Sequence, residues 1–258
     1  GAIPARKRSV IISLSRLTRS GPVDEENRSI TVQAGVITLD AANAAARHNL
    51  LFSVDPASKT ASSIGGNIAE NAGGPLCFEY GTTIDNLLSY RMVTPTGEII
   101  EVSRKDHPRH KLMPDQSAVF EVRDISGGLR SVVRLEADDI RKPGLGKDVT
   151  NKALSGLPGL QKEGTDGVIV DAVFILHERL AHFKVIVLEF FGRSMENCML
   201  VVNDVVALRN DIRRRGDLVK ITALEEFGAK YVQAIEYRKK SSIYEGDPIS
   251  VLILQLDS

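Results

Sequence analysis

The chain's 258 residues suffice for one large domain or two modest ones. Hydrophobic residues at 43% and charged residues at 26% are ordinary for a soluble globular protein. Basic and acidic residues both number 33, so no net field draws the chain to nucleic acid or to an anionic membrane. No apolar run approaches the roughly 18 residues that a transmembrane segment needs. Arg6-Lys7-Arg8 is followed only by the short run Val10-Ile11-Ile12, which is not a secretory signal. Cys77 and Cys198 are far apart and in no paired motif, which fits free thiols in a reducing cytosol. The chain opens Gly1-Ala2-Ile3-Pro4 without methionine and stops at Ser258, after a strand-like run over 249–254. It reads as a fragment of a longer protein, so any function belongs partly to residues beyond it.

In chain order, the β-branched runs Ser9–Leu14 and Ser29–Ala34 predict strands, with Gly21-Pro22 and Asp24–Asn27 as a turn between them. Thr38 is a good N-cap for an alanine-rich helix of about ten residues, with Asp40 near its start and Arg47-His48 near its end. A glycine-rich segment follows, with a short helix over Asn67–Asn71. Leu87–Thr94 and Glu98–Ser103 predict a hairpin turned by Pro95-Thr96-Gly97. Residues 104–147 read as a charged, irregular excursion with short strands at Ala118–Val122 and Leu129–Leu135, and Asp148–Leu154 as a short helix. Val168–Leu176 is an almost wholly apolar strand of the buried kind. After His182 the pattern predicts a strand at Phe183–Phe191, then a helix at Ser194–Arg215 capped by Ser194 and ended by Gly216. A strand at Val219–Thr222, a helix at Leu224–Lys240 and a strand at Val251–Leu256 complete it. That order suggests a separate α+β domain beginning near residue 180.

Chemistry concentrates in Ser53–Pro75, where four glycines and two asparagines lie among serines between Pro56 and Pro75. Glycine lets another group approach the main chain closely, and the polar neighbours supply donors at the same place. Such a loop suits a phosphate-bearing or carbonyl-rich ligand. Lys162–Gly167 is a second glycine loop. A bare structural turn remains the competing reading of both. His107 and His110 lie in a charged loop without further ligands, so no metal site is assigned. His177 reads as a polar strand end, Arg213-Arg214-Arg215 as a solvated helix terminus, and Cys77 has no feature that makes it reactive.

Together these motifs carry a resemblance. Pro56-x-Ser58, Ile64-Gly65-Gly66-Asn67-x-Ala69-Glu70-Asn71-Ala72-Gly73-Gly74-Pro75, Tyr80-Gly81 and Pro95-Thr96-Gly97-Glu98 resemble the FAD-binding domain of vanillyl-alcohol-oxidase-type flavoproteins, also called the PCMH type. The most similar branch holds glycolate oxidase, D-lactate dehydrogenase and D-2-hydroxyglutarate dehydrogenase. Lys147–Thr150 followed by Glu163–Ile169 is similar to that family's second flavin loop. The resemblance implies an α+β fold. Residues 1–178 would be the second subdomain of the FAD-binding domain, without its N-terminal part, and 179–258 the start of the FAD-linked oxidase C-terminal domain. It departs from the family in lacking the N-terminal phosphate loop and the later catalytic histidine and metal ligands. Asn151-Lys152 stands where relatives carry Gly-Tyr, and the 104–147 excursion is longer than usual.

The resemblance implies non-covalent FAD, since Thr60–Ile64 holds no cysteine. Gly65, Gly66 and Asn67 would offer backbone donors, and Ser58, Ser62 and Ser63 hydroxyl donors. Pro56, Ile64, Asn71 and Gly73 would shape the wall, and Gly164, Gly167, Val168 and Ile169 would flank the nucleotide end. The parent would then be an FAD-dependent oxidoreductase of a small D-2-hydroxy acid such as D-lactate or glycolate, passing hydride to flavin N5. No catalytic residue is assigned in this piece, which alone is expected to be inactive and to need FAD contacts from outside it. The electron acceptor is unknown. The location is cytoplasmic, or membrane-associated through a redox partner. Half a flavin site leaves exposed surface that invites self-association into a homo-oligomer. The alternatives are another flavoenzyme on the same domain, or a non-catalytic interaction fragment.

Overall fold

The computed structural model describes residues 11–141 and 151–258. The chain divides into two units, with the boundary after Arg179. In the first unit, β1 (Ser20–Asp24) and β2 (Ser29–Gln33) precede α1 (Thr38–Ala46) and the short β3 (Leu50–Leu51). The glycine-rich segment carries α2 (Ile64–Glu70), followed by α3 (Cys77–Tyr80) and α4 (Thr83–Asn86). Four strands follow as β4 (Leu87–Val93), β5 (Ile99–Arg104), β6 (Ala118–Asp124) and β7 (Leu129–Leu135), then α5 (Ala137–Ile140). The unit ends with β8 (Val168–Ile175) and β9 (His177–Glu178).

Seven strands form one antiparallel sheet in the order β1-β2-β8-β4-β5-β6-β7. The apolar run of β8 lies inside that sheet, paired with β2 on one side and β4 on the other. Ile30, Val32, Tyr90, Met92, Phe120 and Phe174 are buried in one core with Ile64 and Ile68 of α2 and Ala41, Ala44 and Ala45 of α1. At the far end of this core Asp85, fully buried, caps its own helix by accepting from Thr82 N at 2.7 Å, and it pairs with Arg141. Arg104 donates to Asp85 O at 3.0 Å and to the carbonyls of His107 and His110 at 2.8 and 2.9 Å. Burial pulls the Arg104 guanidinium down to about 10, against the pull of Asp85 and Asp106.

The second unit is a three-stranded antiparallel sheet in the order β10-β12-β11, accompanied by two helices. Its elements are β10 (Phe183–Phe190), α6 (Glu196–Arg215), β11 (Lys220–Gly228), α7 (Ala229–Ala234) and β12 (Ser250–Asp257). Gly216 closes α6 in the left-handed conformation at φ 70°. Among the described residues no helix is long and apolar enough to cross a membrane.

Several expectations are corrected. Ile11–Leu14 is not a strand; the partner of β2 is instead Ser20–Asp24, which includes Gly21 and Pro22. Proline is tolerated there because β1 is an edge strand whose pairing shifts between Ser20 and Val23. The helix expected over Leu224–Lys240 is broken, since Leu224–Gly228 is strand. Residues Lys220–Gly228 pair along β12, and only Ala229–Ala234 remain helical. Within the excursion the strands expected at Ala118–Val122 and Leu129–Leu135 are present as β6 and β7, and the finding beyond them is that they form a hairpin that extends the large sheet, closed where Asp124 accepts from Ser126 N and Gly128 N. Thr38 is the first helical residue rather than the cap, which is Ile37. α2 begins three residues earlier than expected, because Ser63 caps it. Gly1–Pro4, Ser9-Val10 and Lys147–Thr150, with the start of the helix expected at 148, lie outside the described residues. From 151 onward that stretch shows only a 3-10 turn at Leu154–Gly156.

Candidate functional site

The glycine-rich segment is held by hydrogen bonds at both ends of α2. At its start, Ile64 N donates to Val36 O at 2.9 Å and Gly65 N to Ala34 O at 2.8 Å. Ala34 N in turn donates to Val170 O at 2.8 Å, which ties the helix start to β8. At its end, Asn71 takes the left-handed conformation at φ 52°, and its side-chain oxygen accepts from Ile84 N at 2.9 Å. The second glycine loop docks on the last turn of α2, with Gln161 N donating to Ile68 O at 3.0 Å and Glu163 N to Ala69 O at 2.9 Å. Carbonyls at a helix end lack partners within the helix, so the second loop satisfies them. Two segments almost a hundred residues apart thus form one surface.

The glycines do different jobs. A Cβ at Gly65 would lie 2.9 Å from Ala34 Cβ, at Gly73 2.3 Å from Cys77 Sγ, and at Gly74 1.6 Å from Asp55 O. These three are small because the chain packs against itself. Gly66 differs, since among the described residues its Cβ would meet only Ser63 Oγ, at an ordinary 3.5 Å. Its N–H donates to that same hydroxyl over a long 3.4 Å. In the second loop Gly164 is exposed, with φ 73° and, among the described residues, nothing within 4 Å of a Cβ. A Cβ at Gly167 would lie 2.3 Å from Met92 Cε and 2.6 Å from Val93 O, and Val168 and Ile169 continue into β8 against β4.

Of the polar candidates, Ser58 is exposed and Ser62 and Ser63 are half-buried, while Pro56 supplies a carbonyl that closes the turn to Lys59 N at 2.9 Å. Asn67 is buried; its N–H donates to Ser63 O at 2.8 Å and its side-chain amide to Thr38 Oγ1 at 2.8 Å. Sequence reasoning missed Thr38 as part of this site. It also missed Asp166, whose carboxylate accepts from Gly159 N at 2.9 Å and braces the second loop from within. Lys162 donates to the carbonyls of Lys152 and Ala153, and burial lowers its pKa against the pull of Asp166. No local pattern marks these residues, because each acts on a partner several or many residues away in the sequence.

FAD needs close approach to backbone and donors for its phosphate and ring-carbonyl oxygens. The open face at Gly66, the hydroxyls of Ser58, Ser62 and Ser63, and the uncrowded left-handed Gly164 fit that requirement.

Comparison with known proteins agrees. Residues 1–103 match the FAD binding domain family. The glycolate oxidase subunit GlcD of Escherichia coli K12 is 42% identical over 100 residues, which are 39% of this chain and 20% of that protein. A D-lactate dehydrogenase of Anaerostipes hadrus is 40% identical over 93 residues, 36% of this chain and 19% of that one. A D-2-hydroxyglutarate dehydrogenase of Xanthomonas citri is 37% identical over 103 residues, 40% of this chain and 22% of that one. The chain thus spans about a fifth of the length of the curated relatives it matches. A solved alkyldihydroxyacetonephosphate synthase shares the fold over 93% of this chain and 37% of its own, with a TM-score of 0.54 at 18% identity. Residues 1–103 of this α+β chain are therefore similar to the FAD binding domain family, and that likeness supports FAD as the cofactor.

Proposed function

We propose that this chain is the FAD-holding part of an oxidoreductase that oxidises a small D-2-hydroxy acid such as D-lactate or glycolate. The observation that carries the reading is Gly66, the glycine of the segment whose smallness serves open space rather than the chain's own packing. The hydroxy-acid class is supported by the relatives, which are named for glycolate, D-lactate and D-2-hydroxyglutarate. When bound, FAD supplies a hydride acceptor at flavin N5. The chain's own residues bind and orient. Gly66 admits the cofactor to the main chain, and Ser58, Ser62 and Ser63 donate to its oxygens. Gly164 leaves room beside the second loop. Pro56, Ile64, Gly65, Asn67, Asn71, Gly73, Gly167, Val168 and Ile169 hold those groups in position through the packing and hydrogen bonds described above. The base that takes the substrate's hydroxyl proton is assigned to a part of the protein outside this chain, as is the contact with the electron acceptor. A cytoplasmic protein passing electrons to an acceptor at a membrane fits this reading.

The test is the reductive half-reaction of the protein that carries this chain. Loaded with FAD and mixed without oxygen with D-lactate, glycolate or D-2-hydroxyglutarate, it should lose the flavin absorbance band with one or more of them and keep it with L-lactate. Retention of the band with every 2-hydroxy acid would reject the substrate class while leaving FAD binding intact.

A further inference from the structure

The second glycine loop is strained. Gln161 and Glu163, whose N–H groups dock on α2, both have φ 56°, and Leu154 and Ser155 before them have φ 42° and 45°. Residues other than glycine take this left-handed conformation at a cost, and it persists only where the surroundings hold it. Two backbone bonds to α2 are a slender hold, so the loop needs a second one.

A second hold runs round the far side through a buried carboxylate. At the end of α2, Asn71 Oδ1 accepts from Ile84 N at 2.9 Å, and Ala72 O accepts from Thr83 N at 3.0 Å and Thr83 Oγ1 at 2.8 Å. These donors belong to the first turn of α4, which Asp85 caps by accepting from Thr82 N at 2.7 Å. A Cβ at Gly81 would lie 2.1 Å from that carboxylate, so Asp85 fills the room the glycine leaves. Its other oxygen pairs with Arg141, whose side chain is 17% exposed. Beside Arg141, Ile140 O accepts from Asn151 N at 2.9 Å, where the strained stretch begins. Lys162 Nζ then donates to the carbonyls of Lys152 and Ala153, and its neighbours Gln161 and Glu163 return to α2. The circuit is closed.

The ion pair is the link that cannot loosen cheaply. Asp85 is fully buried, and a buried carboxylate without its cation keeps the cost of leaving water and loses the attraction that offsets it. Arg104 does not take Arg141's place, since it donates to the main-chain oxygen of Asp85 and to the carbonyls of His107 and His110.

We infer that the Asp85–Arg141 pair is a clasp that holds the strained second loop against the end of α2, and so sets the surface assigned to FAD from a carboxylate that no ligand can reach. Both are positioning residues. This rests on the FAD-binding reading above.

The experiment uses the FAD-stripped protein that carries this chain and its variants. Each is melted, titrated with FAD by flavin fluorescence, and followed without FAD for hydrogen exchange at the Gln161 and Glu163 amides. Asp85→Asn and Arg141→Met should each weaken FAD binding about tenfold, and the double variant no further, because both open the same link. Both should speed exchange at Gln161 and Glu163 while the amides of β8 keep the parent's rates. Arg141→Lys keeps the charge and should bind FAD nearly as the parent does. Val122→Ala, which leaves a cavity in β6 outside the circuit, should lower the melt and bind FAD like the parent. If the parent binds FAD and folded Arg141→Met binds it equally well, the inference is overturned and the FAD reading stands. Unchanged exchange at Gln161 and Glu163, additive losses in the double variant, or Arg141→Lys as weak as Arg141→Met would each overturn it too. So would a loss in Val122→Ala equal to that in Asp85→Asn, which would mark the effect as general instability. If Asp85→Asn fails to melt cooperatively, the two Arg141 variants decide. No FAD binding by the parent overturns the FAD reading and this inference together.

Discussion

Alanine at three glycines separates packing from ligand contact. At Gly74 the added Cβ would sit 1.6 Å from Asp55 O and 3.0 Å from Pro56 N, both main-chain atoms, so the two segments must move apart. Overpacking of this kind costs about 1–3 kcal/mol, and rigid backbone on the far side puts Gly74→Ala at or above the top of that range. At Gly65 the contact is 2.9 Å to a methyl carbon, Ala34 Cβ, and a smaller cost within the range is expected. Gly66→Ala meets nothing closer than 3.5 Å and lies within α2, where alanine is favoured over glycine by about 1 kcal/mol. Its fold should therefore be as stable as the parent's or more so. For a unit of this size each kcal/mol moves the melting temperature by about 2–4 °C, within easy reach of a thermal melt. FAD titration of the same proteins should show the reverse order for Gly66→Ala. It is unharmed in the melt, yet binds at least about tenfold more weakly, because its methyl group fills the space reserved for the cofactor. A Gly66→Ala protein that binds FAD like the parent would refute the assignment of that space. A Gly74→Ala protein that melts like the parent would refute the packing geometry.

Further outcomes follow from the same structure. In the second loop, Gly167→Ala should cost more than Gly164→Ala in urea unfolding, since the former meets Met92 Cε at 2.3 Å and Val93 O at 2.6 Å and the latter carries only left-handed strain of about 1–2 kcal/mol. Glu163→Gln should leave the urea unfolding midpoint unchanged, because its pair with Lys152 leaves both side chains more than half exposed. In the second unit, burial raises the Glu189 carboxyl, but the N–H groups of Lys240 and Ser241 and the Tyr237 hydroxyl outweigh it and hold the group below the usual carboxylate range. A lowered carboxyl contributes its stability above the ordinary range and loses it as pH falls through the lowered value. Glu189→Gln should therefore be less stable than the parent near neutrality by about 1–3 kcal/mol, and the gap should close toward pH 3. A gap that stays constant from about pH 7 to 3 would contradict the role of the charge.

Much of this was legible because the signals are local. The turn Pro95-Thr96-Gly97 joins β4 to β5, the apolar run of β8 lies inside its sheet, and Gly216 ends α6. The glycine-rich segment stood out by composition alone. What escaped depends on partners far away in sequence. Leu224-Glu225-Glu226-Phe227 looks helical in isolation, but it pairs residue by residue with Val251–Leu254 of β12, and that tertiary pairing overrides the local preference. Pro22 argues against a strand until the strand is known to lie at an edge. Thr38 has the composition of a helix cap, yet its hydroxyl serves Asn67, 29 residues on. The equal look of Gly65, Gly66, Gly73 and Gly74 in sequence hides that three serve packing and one faces open space.

The measurement that tests the central claim most directly is titration with FAD of the FAD-stripped protein that carries this chain, following quenching of flavin fluorescence and the shift of the flavin absorbance bands. The account predicts saturable binding that Gly66→Ala weakens while its melt is unchanged. Binding that is absent, or present and indifferent to Gly66→Ala, would contradict the claim that this surface is built for FAD.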